Sequence, residues 1–256
     1  MIKSIRHKSI IDTIEKDGFI GTEDIARKYN VSLATARRDL DELEIKGFLR
    51  RKYGGAESVN NSLFTPGSFL DRQKKAHDEK LKIAKKALEL IPDNAIIALD
   101  SGSTVYELCT LLKERSGLTI ICSDIHSADC LLSGPSENKV YFMGGFLTKD
   151  GSSTCDFAEK LLSRIAGIDI FFLSGDGLDP TDGISSFDYG VNELNRCYLK
   201  KAKKTVALID NTKLQRKGFY KVCGLDELDL IIFDDKLSEH LTDVLKKKGI
   251  PYIKAE

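Results

Sequence analysis

The pentapeptide Asp100-Ser101-Gly102-Ser103-Thr104 follows the apolar run Ala95 to Leu99 and precedes a helical pattern. A loop of this kind converges backbone N–H groups, hydroxyls and the positive end of a helix dipole, which is the chemistry of an anion site and of phosphate in particular. It is not a G-x-x-x-x-G-K-[ST] loop, and no G-x-G-x-x-G run occurs, so nucleotide hydrolysis and dinucleotide binding are not indicated and no cofactor is called for. The same residues also make an ordinary strand-to-helix turn with a hydroxyl cap. Other apolar runs end in a similar way, at Ser123-Asp124, Gly144-Gly145, Gly175-Asp176-Gly177 and Asp210-Asn211-Thr212-Lys213. Lys213 can neutralise a phosphate, and the aspartates can accept hydrogen bonds from sugar hydroxyls. Asp100, Asp176, Glu193, Asp210 and Lys213 also supply acids and a cation suited to proton transfer at a carbohydrate carbon, so an isomerase is an alternative at this point. Asp179 and Asp182 fit a turn around Pro180.

A second chemistry lies near the N-terminus. Arg50-Arg51-Lys52 stand together without an acid, and Arg37-Arg38 precede them in a segment of helical pattern. Arginine can grip guanine bidentately, small apolar groups meet thymine methyls, and a row of cations suits a phosphate backbone. Residues 1–56 carry 12 Lys+Arg against 9 Asp+Glu, while the whole chain has 39 of each, so zero net charge conceals a basic N-terminal fifth.

Elements that can position these residues follow from periodicity. Ile5, Ile10, Ile11 and Ile14 repeat at helical spacing up to Lys16-Asp17-Gly18. Thr22 with Glu23 and Asp24 marks a second start, with Thr22 as its cap, and Asn30-Val31-Ser32 breaks the chain before a third helix that stops at Gly47. Around the third helix, Leu33, Ala36, Leu40 and Leu43 are expected inward. Ala34 and Arg38 are expected outward, flanked by Thr35 and Arg37, with Ser32 at the cap. The segment Phe48 to Gly55 then reads as a basic wing. Two helices joined by a short turn also describe a plain helical bundle, and the wing favours the DNA-reading version.

Glu57 to Leu70 is rich in Ser, Asn, Gly and Pro and reads as a linker. From Asp78 onward helices and strands alternate, which implies an open, mainly parallel sheet covered on both faces. The expected fold is therefore α/β, with a winged helix-turn-helix domain at 1–56, a linker at 57–70 and an α/β domain at 71–256. Hydrophobic residues make up 41% and charged residues 30%, as in a globular protein with a sizeable core, and no run is membrane-length or resembles a signal peptide. A cytoplasmic protein with no membrane partner is expected. The six cysteines and four histidines share no ligand spacing, so reduced structural thiols and no metal are expected.

VSLATARRDLDELEIKGFLRRKYGGA resembles the signature of the DeoR family of bacterial regulators: V-S-x-x-T-x-R-R-D-L, then a Gly, an L-x-R segment and G-G-A. Ala36 stands where that family usually carries Ile or Val. The stretch from about Phe69 to the C-terminus resembles the family's sensor domain, which is similar in fold to ribose-5-phosphate isomerase. The resemblance implies a non-catalytic repressor that binds a double-stranded DNA operator as a dimer or tetramer. It also implies a pocket for a phosphorylated sugar, lined by Asp100 to Thr104, Gly144-Gly145, Phe172 to Asp179 and Asp210 to Lys213. Asn195 replaces a common Lys of that family, and Cys155-Asp156 replaces a usual Gly-Pro.

Overall fold

The computed structural model describes residues 3–17, 19–46, 48–52, 54–58, 68–154, 157–214, 216–237 and 239–256. Gly18, Gly47, Tyr53, Cys155-Asp156, Ser238 and most of the expected linker lie outside the described residues. Two compact units are present, Met1–Thr65 and Pro66–Glu256.

The first unit holds three helices, α1 (Lys3–Asp17), α2 (Thr22–Tyr29) and α3 (Leu33–Ile45), and three short strands, β1 (Phe19–Gly21), β2 (Leu49–Lys52) and β3 (Gly55–Ser58). The strands form an antiparallel sheet in the order β1-β3-β2. Its core is Ile10, Ile14, Ile20, Ile25, Tyr29, Ala36, Leu40, Leu43, Leu49 and Ala56. Two expectations need correction. Leu33 is 44% exposed, because the first turn of α3 projects past the packed face; the inward row is Ala36, Asp39, Leu40 and Leu43. Thr22 does not cap α2: Gly21 holds the cap position without a side-chain bond, and the Thr22 N–H donates to Gly54 O at 2.8 Å, tying the helix start to the β2–β3 turn.

Asp39 is the one acid on the inward row of α3, and it is 2% exposed. Arg6 donates to it through Nε at 2.6 Å and Nη2 at 3.1 Å, and His7 Nε2 lies 3.0 Å from Oδ1. Burial alone would raise the Asp39 pKa, but the bonds from Arg6 and His7 outweigh it and hold the carboxyl below its ordinary range. The triad fastens α1 to the buried face of α3.

In the second unit a seven-stranded sheet has the order β15-β14-β12-β9-β4-β5-β6, parallel throughout. Its strands are β4 (Ile96–Leu99), β5 (Thr119–Cys122), β6 (Lys139–Phe142), β9 (Ile168–Leu173), β12 (Ala202–Ile209), β14 (Leu230–Asp234) and β15 (Tyr252–Ala255). Alternate residues point to opposite faces, as a pleated strand requires. Ile97, Leu99, Ile120, Phe172 and Leu208 join one core with α5 (His77–Leu88) and α6 (Ser103–Leu112). Ala98, Ile121, Phe171, Leu173 and Ile209 join the other with α8 (Ala158–Leu162), α9 (Tyr189–Lys201) and α10 (Glu239–Lys247). The remaining helices are α4 (Phe69–Lys74) and α7 (Ile125–Leu132).

Two smaller sheets were not expected from the sequence. One is the hairpin of β7 (Phe146–Leu147) and β8 (Ser153–Thr154). The other joins β10 (Gly177–Asp179), β11 (Gly183–Ser186) and β13 (Tyr220–Cys223). Cys109, Cys122, Cys130 and Cys223 are buried and free, and burial raises their thiol pKa, which leaves them unreactive. No helix among the described residues is long and apolar enough to cross a membrane.

Removing one partner of a buried ion pair leaves an unpaired charge, whereas an exposed pair such as Lys3–Glu42 contributes little. Asp39→Ala is therefore expected to cost about 3–5 kcal/mol in denaturant unfolding of the first unit. Because the folded pKa of Asp39 is depressed, its contribution is complete above the unfolded carboxylate pKa and is lost as pH falls through the lower folded value. An unchanged unfolding midpoint at pH 7 would contradict this account.

Candidate functional site

On α3, Ser32 accepts from Thr35 N at 3.1 Å and lies 2.9 Å from Thr35 Oγ1, so both hydroxyls belong to the helix cap. Ala34, Arg37 and Arg38 are exposed on the outward face. In β2, Arg50 is exposed and Leu49 buried. Arg51 is half-buried: its N–H donates to Glu44 at 2.7 Å, Nε lies 3.6 Å from Asp41, and Nη1 reaches Arg37 O at 3.5 Å. Lys52 ends β2, paired with Gly55. The wing is thus fastened to α3 through Arg51, while Arg50 stands free of that tie.

In the second unit the chain leaves β4 toward β5 and β6 on one side of the sheet, whereas β9, β12, β14 and β15 build the other side. The switch point lies between β4 and β9, and crevices of open parallel sheets form beyond the carboxyl ends of the strands there. Register brings Leu99 beside Phe172, so Asp100 meets Ser174. Asp100 Oδ2 accepts from Ser174 N at 2.9 Å and Ser174 Oγ at 2.7 Å. Its Oδ1 accepts from Ser101 N at 2.7 Å and Asn195 Nδ2 at 2.8 Å. All four donors are neutral. Burial pushes the Asp100 carboxyl up to about 6, against the pull of these bonds. Gly102 passes so close to Ser174 Oγ that a Cβ there would collide with it.

Two strands away, Asp210 is fully buried and accepts from Thr212 N at 3.0 Å, Thr212 Oγ1 at 2.5 Å and Thr104 Oγ1 at 3.3 Å. Thr104 and Ser103 are buried in the first turn of α6, and Ser101 and Gly102 are half-buried. Lys213 closes the same loop. Burial lowers its pKa, and Asp176 and Asp210 oppose that shift while Arg72 and Arg216 add to it, so three cations surround two aspartates. Asp176 accepts from Phe187 N at 3.1 Å, and Gly177 abuts the Arg216 backbone. Arg72 Nη2 lies 3.2 Å from Asp150 and Nη1 lies 4.0 Å from Asp176; its Nε is buried without a hydrogen-bond partner. Lys80, 2% exposed, donates to Arg72 O and Lys75 O and so holds α4 in place, and burial takes its pKa down to about 8.

Asp124 caps α7 through Ser127 N at 2.8 Å and bridges to Ser152, and Ser123 O accepts from Ser153 N at 2.5 Å. Gly144-Gly145 follow β6; Gly145 lines a separate cleft of about 470 Å³ with Met143, Phe146, Phe157 and Arg164. Glu193 is exposed on α9, turned away from the buried Asn192 and Asn195, and is not brought to the cluster. Sequence reading missed Arg72, Lys80 and Arg216, none of which lies in a strand-end motif, whereas Ser174 falls within the expected Phe172 to Asp179 segment.

A helix-turn-helix with a basic wing, joined in one chain to a parallel-sheet unit whose strand-end loops gather Lys213, Arg72 and Arg216, defines a ligand-responsive DNA-binding regulator. A model of the DeoR-like helix-turn-helix domain matches residues 6–62, and a model of the DeoR C-terminal sensor domain matches residues 75–235. The chain belongs to the DeoR family of transcriptional regulators. It is 31% identical over 252 residues to the HTH-type transcriptional regulator GolR of Listeria innocua, covering 98% of each chain. It is 29% identical to a putative aga operon transcriptional repressor of Escherichia coli O157:H7, covering 98% of this chain and 93% of that one. It is 26% identical to the glycerol-3-phosphate regulon repressor of Escherichia coli K12, covering 91% and 92%. Among solved structures, ribose 5-phosphate isomerase A of Methanocaldococcus jannaschii aligns at TM-score 0.40 and 21% identity, over 55% of each chain. The relatives are named as regulators and repressors, and the chain is a regulator; the isomerase alternative is set aside.

A carbon-detected NMR titration of the aspartate carboxyls is expected to find Asp100 with a midpoint near 6. Since this folded pKa is raised, the stability it confers is complete below the unfolded carboxylate value and declines as pH rises through about 6. A midpoint in the ordinary carboxylate range would show that Asp100 is not enclosed as described.

Proposed function

We propose that the chain represses transcription by seating α3 in the major groove of an operator, and that a phosphorylated sugar in the β4–β9 crevice alters that affinity. The observation that carries the effector reading is the gathering of Lys213, Arg72 and Arg216 beside the Thr104–Asp210 pair at the carboxyl ends of the sheet. Three cations gathered in a half-buried site can together meet a dianion more strongly than the single carboxylates beside them do. At the other end, Asp100, Ser174 and Asn195 offer neutral and acceptor groups suited to hydroxyls. Ser101, Gly102, Ser103, Ser123, Asp124, Asp176 and Gly177 complete the proposed lining. Glu193 and Gly144-Gly145 lie apart from it.

For DNA, Ala34, Arg37 and Arg38 are the proposed groove contacts, with the Ser32–Thr35 cap setting the start of the reading helix. Arg50 and Lys52 are the proposed phosphate contacts. Arg51 holds the wing on Asp41 and Glu44. The protein is proposed to act in the cytoplasm as a dimer or tetramer, since paired half-sites add the specificity one helix lacks. The effector must prefer one of two arrangements, because equal affinity for both shifts nothing.

Against an operator selected from a random DNA pool, Arg38→Ala is expected to cost about 1–3 kcal/mol and relax one base position. Arg50→Ala is expected to weaken all sequences alike and to reduce the salt slope by about 1. Identical base preference in Arg38→Ala would mean that another face reads the groove. A thermal-shift screen of pentose and hexose phosphates is expected to find stabilisation that Lys213→Ala removes; stabilisation unchanged in that variant would place the phosphate elsewhere.

A further inference from the structure

Arg72, on α4, pairs with a residue from outside the strand-end loops. Its guanidinium reaches Asp150, at the tip of the β7–β8 hairpin, 3.2 Å away, and the pair is largely withdrawn from solvent on the arginine side, with side-chain exposures of 17% and 35%. Asp176, the other carboxylate near Arg72, lies in the loop between β9 and β10 and is fixed by Phe187 N. Asp150 sits on a two-residue-per-strand hairpin whose apolar side chains are not buried: Phe146 is 73% and Leu147 47% exposed. Such a segment has little apolar contact to lose on moving.

The hairpin is attached by polar bonds at the start of β8, where Ser153 N donates to Ser123 O and Ser152 bridges to Asp124, and separately at its tip. Gly151, at φ +87, closes the turn with its N–H on Thr148 O at 3.1 Å, and its carbonyl accepts from Ile125 N at 2.9 Å. A carboxylate on an arginine in a phosphate-type site stands where a phosphate oxygen would go, and a dianion interacts more strongly with the same cations than one carboxylate does.

Resting on the sugar-phosphate reading of this site, we infer that the β7–β8 hairpin is a latch, in which Asp150 occupies Arg72 in the ligand-free chain and the effector phosphate displaces it, releasing the hairpin tip from α7. Effector binding is then a competition, and its outcome is passed to Ile125 at the start of α7 and to α4, the first described helix after the segment that joins the two units in sequence.

The test uses the full chain and inorganic phosphate as probe. Phosphate affinity is read by calorimetry in wild type, Asp150→Asn and Lys213→Ala, and amide hydrogen exchange of Ile125 and residues 148–153 is read with and without phosphate. Asp150→Asn, which removes the competing charge at constant shape, is expected to bind phosphate at least about fivefold more tightly than wild type, the lower end of typical coupling between linked sites. In wild type, phosphate is expected to speed exchange at Ile125. Unchanged or weaker affinity in Asp150→Asn, with binding still abolished by Lys213→Ala, overturns the latch and leaves the phosphate site standing. Slower exchange at Ile125 on adding phosphate also overturns it, because the hairpin would then be closing on the ligand. Full affinity in Lys213→Ala, or no phosphate binding in any of the three proteins, removes the phosphate reading and the latch with it.

Discussion

A single buried carboxylate organises the sensor unit. Asp100 ends the strand at the switch point of the sheet and accepts four hydrogen bonds: one from its own loop, two from Ser174 on the neighbouring strand end and one from Asn195 on α9. An ionised carboxylate cannot be enclosed without donors, so these partners hold the β4 loop, the β9 loop and α9 in one arrangement. No cation shares in this. The loop that opens α6 is therefore positioned by neutral groups, and the cations are left a short distance away, on the β12 side.

The reading unit depends on a related device with opposite composition. Asp39 is also a buried acid, but Arg6 and His7 meet it, so its charge is compensated within the helical core. Its role is geometric: α1 is bound to the back of α3, and Arg51 binds the wing to the front. The exposed faces of α3 and β2 are thus set by contacts from α1 on one side and from Arg51 on the other. A serial row of three cations in the sequence becomes, in the fold, one anchor and one outward guanidinium.

Much of this was legible in the sequence, where a pattern had one physical meaning. Long apolar runs with strand-like length became strands, and the Ile and Leu repeats became helices, because burial on one or two faces leaves little choice. The small sheets escaped notice because β7, β8 and β10 are only two or three residues long, too short to show an alternating pattern. The strand-end motifs pointed to Asp100, Asp210 and Lys213, yet Arg72 and Lys80 could not be found that way. They come from a helix pair far upstream, and only tertiary packing carries them to the sheet. Glu193 stands exposed for a simpler reason: its neighbours Asn192 and Asn195 take the inward face of α9, and a helix cannot turn all three the same way.

The separation between Asp100 and the Lys213 cluster gives the crevice a polarity. One end is neutral donors around a carboxylate, the other a cluster in which Lys213, Arg72 and Arg216 are interleaved with aspartates. A molecule with one anionic terminus and one hydroxylated terminus fits such a socket one way round only. Were a phosphate to seat on Lys213 as proposed, a second phosphate at the far end would meet Asp100, whose four donors are all neutral, so the same asymmetry would favour monophosphates over bisphosphates.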